Sequence, residues 1–233
     1  MAGPLNSATV EEFVRWFLRL NGYFGVENFI VHAADDPSRI SGGLIAPHTE
    51  TDTIAVRMPY STEVAGTLKI ANYPQLTLGS EQRFDVVIAE SKAGEDAKPN
   101  RVWRNSEVAP VAYIVRFVGL HLTDDEIGKI ASALSTQYRY EDQKCRFRYI
   151  VFSREPNEHY ASRGVTYIDL RSVVNFLVDV RGQCWIDADI GVASIHHQWN
   201  PLIKQIFALA NDLNISVEAR RDLAYRQFLE LAG

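Results

Sequence analysis

The run Phe84-Asp85-Val86-Val87-Ile88-Ala89 constrains the fold more than any other part of the chain. It is apolar on both parities, so an extended segment here must be covered on both faces. Such strands lie inside sheets with helices packed above and below, which predicts a layered α/β domain. The run continues directly into Glu90-Ser91-Lys92. Side chains alternate along a strand, so Glu90 and Lys92 leave from one face, with Cα atoms about 6.5–7 Å apart. A carboxylate and an ammonium ending a buried apolar strand are costly to desolvate, and a divalent cation beside them supplies a reason for their presence.

The rest of the chain surrounds that strand with alternating elements. A helix is expected from about Thr9 to Leu20, with a Thr9/Glu12 capping box, an apolar face of Val10, Phe13, Val14, Phe17 and Leu18, and an Asn21-Gly22 stop. Phe29-Ile30-Val31 and Thr53-Ile54-Ala55-Val56 read as strands, the second stopped by Pro59, with a polar loop from Asp35 to Gly43 between them. Residues 60–83 give no clear element. Helices are expected at Val108 to Val118 and Thr123 to Tyr138, the latter opened by a Thr123/Glu126 capping box. Strands at Arg148 to Phe152 and Val165 to Leu170 follow, then a helix from Arg171 to about Val180. Asn200-Pro201 reads as an N-cap with proline in the first turn, opening two C-terminal helices. This order predicts a mixed α/β domain over residues 1–181 and a mostly helical extension over 182–233.

Phosphodiester hydrolysis uses the parts that Glu90 and Lys92 suggest. Magnesium takes hard oxygen ligands and keeps several waters, so one or two carboxylates hold it. The metal activates a water and neutralises charge, and a neighbouring lysine orients that water or supports developing negative charge. Acid-x-Lys alone is a weak signal: Asp96-Ala97-Lys98 and Asp142-Gln143-Lys144 repeat it, but in polar, loop-like sequence. The second acid is expected to be Asp52, at the front of the Thr53–Val56 strand, where a hairpin neighbour can approach Glu90. Glu50 competes with it, and a plain turn role for Asp52 stays open. Glu11, at the edge of the first helix's apolar stripe, is placed to supply a further carboxylate, or else is a solvated glutamate favoured by the helix dipole. Lys98, Arg101 and Arg104 follow the catalytic strand and suit backbone phosphates.

Together these residues resemble the PD-(D/E)xK, or restriction-endonuclease-like, nuclease superfamily. Its order is a helix often bearing a glutamate, a strand, a strand starting with the motif aspartate, and a strand ending in acid-x-Lys. The spacing from Glu11 to Gly22-Tyr23 is similar to the first helix of Mrr-like nucleases and archaeal Holliday-junction resolvases. A narrower likeness, to bacterial proteins with a lysine-rich turn and a Trp-Asn segment, covers Glu90-Ser91-Lys92-Ala93-Gly94, Lys98-Pro99-Asn100 and Trp103-Arg104-Asn105, together with Thr51 to Arg57. The resemblance spans roughly residues 9 to 155. It departs from the family pattern in the 38 positions between Asp52 and Glu90, in Thr51 standing where the family has proline, and in the insertion over residues 59–83.

The resemblance implies an α/β/α sandwich with a central mixed sheet and a helical C-terminal extension. It also implies a Mg²⁺-dependent endonuclease, with Mn²⁺ as a substitute metal, acting on DNA in phage defence, restriction or repair. Asp52, Glu90 and Glu11 would hold the metal and Lys92 would assist. The alternative is a nuclease-derived binding or scaffolding module without turnover.

Composition sets the remaining bounds. A net charge of −5 excludes coating nucleic acid through bulk charge and suggests that substrate is engaged locally, with a partner protein or as a homodimer. The 24 basic residues are 18 Arg and 6 Lys, a skew that suits phosphate contact, with genomic composition as the other reading. Two scattered cysteines, no leader pattern and no long apolar run predict a cytoplasmic protein without a membrane partner. The aromatic and basic residues from Tyr138 to Tyr149 read as core aromatics at a helix-to-strand junction, with base stacking as the other reading. His48 and His196-His197 are given no catalytic role, and Trp185 and Trp199 are expected to pack.

Overall fold

The structure, a computed structural model, describes residues 5–31, 40–41, 44–45, 49–65, 67–77, 82–120, 122–187 and 200–233. Helix α1 (Ser7–Leu20) turns Val10, Phe13, Val14, Phe17 and Leu18 inward. Its N-cap is Asn6, whose Oδ1 accepts from the Thr9 amide at 3.1 Å, so the expected Thr9/Glu12 box does not form. Asparagine caps at least as well as threonine, and starting at Asn6 places Thr9 inside the first turn. Glu12 instead accepts from the Asn200 side-chain amide. The Asn21-Gly22 stop is present, with Gly22 at φ +83°.

Strands β1 (Phe24–Val31), β2 (Ile40–Ser41), β3 (Leu44–Ile45), β4 (Thr49–Arg57), β5 (Val64–Ala65), β6 (Leu68–Lys69) and β7 (Phe84–Ser91) follow, with a 3₁₀ turn at Pro74–Leu76. Most of the loop expected from Asp35 to Gly43 lies outside the described residues, but Ile40–Ser41 within it pairs with β3. Next come α2 (Arg101–Arg104), α3 (Val108–Val118), α4 (Asp124–Gln137), β8 (Arg139–Glu141) and β9 (Cys145–Ser153). The Thr123/Glu126 capping box forms as expected, and Tyr138 ends α4 in the left-handed conformation. After α5 (Glu158–Ala161) and β10 (Thr166–Asp169), α6 (Leu170–Phe176) runs through a π turn at Leu177–Arg181 into α7 (Gly182–Asp187). Helix α6 begins one residue before the expected start because Asp169 caps it through the amides of Arg171 and Ser172. Helices α8 (Pro201–Ala210) and α9 (Val217–Ala232) end the chain, α8 capped by Asn200 with Pro201 at its start.

The main sheet has six strands in the order β1-β4-β7-β9-β10, with β8 also paired to β9. β1, β4 and β7 run antiparallel, whereas β7, β9 and β10 are parallel. The chain is therefore a mixed α/β fold around a mixed sheet. β7 lies between β4 and β9, which explains why Val86 through Ala89 are apolar on both parities and fully buried. One face, with Val87, Ala89, Ile150 and Phe152, packs against α1, α6, α8 and α9. The other, with Val86, Ile88, Phe147 and Tyr149, packs against α2, α3 and α4. The C-terminal helices belong to the first of these cores: Phe228 meets Phe13 with ring centroids 4.7 Å apart. No helix among the described residues is long and apolar enough to cross a membrane.

The N-terminal end of β7 carries a buried charge cluster. Asp85 accepts from Arg146 at 3.0 and 2.8 Å, from Arg148 at 2.7 Å and from the Tyr23 hydroxyl, with Arg57 at 3.5 Å. Burial alone would raise the Asp85 carboxyl. The Arg146 bonds and the charges of Arg148 and Arg146 outweigh it and hold the group below its usual range. The guanidiniums also donate to the carbonyls of Gln75, Leu76 and Thr77, tying the 3₁₀ turn of the insertion to the sheet.

Candidate active site

The opposite end of β7 gathers the acids singled out in the sequence. The β4–β7 ladder pairs Thr53 with Ala89, so one step outward Asp52 faces Glu90. Directly opposed residues share a face, here the face of Ile54, Val86 and Ile88. Asp52 Oδ2 accepts from the Ser91 amide at 2.6 Å. Lys92 is just beyond β7, its amide donating to the Phe152 carbonyl at 2.8 Å, and its ammonium forms an ion pair with Glu90 Oε1.

Glu90 is 2% exposed and is held on several sides. Its Oε2 accepts from the Asn100 amide at 3.1 Å and from the Tyr149 hydroxyl. Asn100 Oδ1 accepts from Lys92 Nζ at 3.0 Å, and Asn100 Nδ2 donates to the Glu50 carbonyl at 3.4 Å. Tyr149 stacks on Trp103 with centroids 4.1 Å apart, which fixes the direction of its hydroxyl. Burial pushes the Glu90 carboxyl up to about 7, with the Asp52 charge adding to the rise against the opposing pull of Lys92 and Asn100. Burial also raises Asp52, against the Ser91 amide and the Lys92 charge.

Of the residues expected at the site, Asp52, Glu90 and Lys92 come together. Glu50 is exposed and meets the site through its backbone carbonyl. Glu11 stands on α1, in the opposite layer, and among the described residues makes no hydrogen bond or ion pair with the other three. Burial, then the charges of Asp52 and Glu50, raises its pKa, so it senses the site without joining it. Lys98, Arg101 and Arg104 are exposed after β7; Lys98 pairs with Asp96 and Arg101 lies 3.5 Å from Glu107. The two competing acid-x-Lys triplets are surface features: Lys98 is ion-paired with Asp96, and Asp142 receives the amides of Lys144 and Cys145. His48, His196, His197 and Trp199 lie outside the described residues.

Among the described residues no group of three or more His, Cys, Asp or Glu side chains is placed to hold a metal ion. A buried and a half-buried carboxylate with raised pKa values, with an ammonium already against one of them, nevertheless suit a hard divalent cation that needs only one or two protein carboxylates. A cavity of about 650 Å³ opens between α1 and β1, but its lining includes none of Asp52, Glu90 and Lys92.

No family model matches the chain, and no curated protein or solved structure matches it. The candidate site therefore stands on its geometry. Two of its members were not singled out as site residues. Tyr149 shares its parity with Phe147 on β9, which places it on the Glu90 face once the parallel register is known. Asn100 carries no signal of its own beyond its place in the Lys98-Pro99-Asn100 turn.

Proposed function

We propose that this chain is a Mg²⁺-dependent nuclease with a restriction-endonuclease-like core, hydrolysing phosphodiester bonds in DNA. One observation carries the reading: Asp52 faces Glu90 across neighbouring strands, and Lys92 reaches back to Glu90 from the end of the same strand. Order along the chain supports it as well. The helix with Glu11, the strand β1, the strand with Asp52, the strand ending in Glu90-Ser91-Lys92 and a helical crossover to a parallel strand follow one another as the resemblance implies.

Asp52 and Glu90 would hold the metal, and a bound Mg²⁺ would supply Lewis-acid activation of water and charge neutralisation at the phosphate. The protein's own part is positional. Asn100 and Tyr149 fix the Glu90 carboxylate, and the Ser91 amide fixes Asp52. Lys92, with Asn100 sharing its ammonium, places a positive charge where the phosphate's negative charge grows. Arg101 and Arg104, exposed just after Asn100, would meet backbone phosphates despite the chain's net charge of −5.

The deciding experiment is plasmid cleavage with Mg²⁺ or Mn²⁺ by the wild type and by Asp52→Ala and Lys92→Ala, with folding followed by circular dichroism. Cleavage by the wild type that both folded variants lose supports the reading. Cleavage that survives both removes the site. Absence of cleavage on DNA and RNA with either metal favours a binding module built on the same fold.

A further inference from the structure

On the outer side of β9 the sheet edge splits. β8 pairs with Arg146 to Arg148, and β10 pairs with Ile150 to Ser153. A cavity of about 490 Å³ opens there, lined by Gln137, Arg139, Tyr140, Arg146, Arg148 and Thr166 among others. That volume falls within the usual range of small-ligand sites, roughly 300–1,000 Å³.

The charge on its wall is unbalanced. Asp85 accounts for Arg146 and Arg148 and also serves Arg57. Glu141, the carboxylate on the wall, is bonded to Arg83. Asp142 nearby is turned to the Tyr140 hydroxyl and to the amides of Lys144 and Cys145. Arg139 therefore has no ion-pair partner among the described residues. It also stands directly opposite Arg148 in the β8–β9 ladder. Like charges directly opposed across a ladder are destabilising, and an anion beside them would relieve the repulsion. Arg148 lines this wall, and its buried Nε–H is left without an acceptor. Buried donors without partners are costly, and in a chain of net charge −5 such a concentration of guanidinium calls for a counter-charge.

We infer that this cavity binds a phosphate group, presented by a free nucleotide or by a nucleic-acid backbone, between Arg139 and Arg148. The Arg139 guanidinium can meet phosphate oxygens in a bidentate way; Arg148, already bonded to Asp85, Tyr23 and the Gln75 carbonyl, adds positive charge behind it, and Gln137 and Thr166 add neutral polar groups at the rim. Arg148 pairs with Val87, three residues before Glu90, so the site lies roughly 10 Å along β7 from Glu90, counting a rise of about 3.3 Å per residue, and on the opposite face of the sheet by strand parity. It is separate from the candidate metal site, and its occupancy does not depend on hydrolysis.

The test is equilibrium titration in metal-free buffer with three probes: pyrophosphate, adenosine triphosphate and a short DNA oligonucleotide. The proteins are the wild type, Arg139→Ala, Arg139→Lys and Asp52→Ala. At least one probe should bind saturably, with Kd about tenfold weaker in Arg139→Ala, partly restored in Arg139→Lys and unchanged in Asp52→Ala. Tighter binding of the nucleotide than of pyrophosphate identifies a free nucleotide as the source, and oligonucleotide binding that strengthens with length identifies a polymer. Arg139 is exposed, so its variants should keep the wild-type melting curve. Failure of all three probes, or an Arg139→Ala Kd equal to that of the wild type, overturns the inference.

Discussion

Asp52 faces Glu90 across the β4–β7 pair, yet the two carboxylates are held by different hands. A backbone amide fixes Asp52, whereas an ammonium, a second amide and a phenol fix Glu90. Burial raises both acids; the Asp52 charge raises Glu90 further, and the Glu50 charge raises Asp52. A cation between them would reverse that pressure.

The first consequence is a pH dependence of stability. The Glu90 carboxyl titrates at about 7 in the folded chain against 4.5 for an ordinary glutamate. Between those values the folded state holds a proton that the unfolded state has released. Glu90 therefore lowers stability as pH rises through that window, by at most about 1.4 kcal/mol per pH unit. Urea unfolding at pH 5, 6 and 7 should show this slope in the metal-free wild type and a shallower one in Glu90→Gln. Saturating Mg²⁺ should flatten the wild-type slope, because it favours the charged carboxylate. Equal slopes in wild type and variant would remove Glu90 as the titrating group.

Tyr149→Phe deletes the hydroxyl that donates to Glu90 and leaves the ring on Trp103. The charged carboxylate then loses a donor, so Glu90 should titrate higher still. The acid limb of the pH–rate profile should move to higher pH, with a stability loss of about 1 kcal/mol. An unmoved profile would make Tyr149 a packing residue only.

Asn100→Ala should separate positioning from binding. It removes the acceptor of the Lys92 ammonium but keeps the amide that serves Glu90. We expect kcat to fall about tenfold at nearly constant KM. Steady-state cleavage kinetics read both numbers, and a change confined to KM would argue that Asn100 touches substrate instead.

Asp85→Asn keeps the shape but withdraws the one carboxylate shared by three guanidiniums. Breaking a buried charge network in this way costs about 3–5 kcal/mol. Chemical denaturation should report a loss of that size, and a loss below about 1 kcal/mol would mean that water reaches the arginines.

Gly182→Ala sets two effects against each other. Helical alanine is favoured over glycine by about 1 kcal/mol. A Cβ at position 182 would lie 2.5 Å from the Ala210 Cβ on α8, and overpacking of that kind costs about 1–3 kcal/mol. The clash should win, giving a lower Tm; a rise in Tm would show that α8 moves aside easily.

Much of this architecture was legible because its signals are local. The Val86–Ala89 run, the Thr123/Glu126 box and the Asn200-Pro201 start each depend on a few adjacent residues, and each formed where expected. At α1 the local rule was satisfied by a better cap three residues earlier, Asn6. The two-residue strands β5 and β6 and the 3₁₀ turn at Pro74–Leu76 are too short for any period to show. Asp52, Glu90 and Lys92 were legible through strand parity. Tyr149 depends on the β7–β9 register, and Asn100 on a turn that bends back over Glu90, neither of which is written in nearby residues. The Asp85 cluster joins residues up to 125 positions apart, far beyond the reach of pattern reading.

The parallel pairing of β7 with β9 sets the order in which this site can come into being. Tyr149 and Glu90 are 59 positions apart, with α2, α3, α4 and β8 between them, while Asp52 and Ser91 are 39 apart. Closing such loops is slow compared with forming helices. A nascent chain that has already folded its α3–α4 pair still lacks the Tyr149 bond to Glu90. The complete site should therefore assemble late in refolding, with the β7–β9 pairing rather than with the bulk of the helical signal.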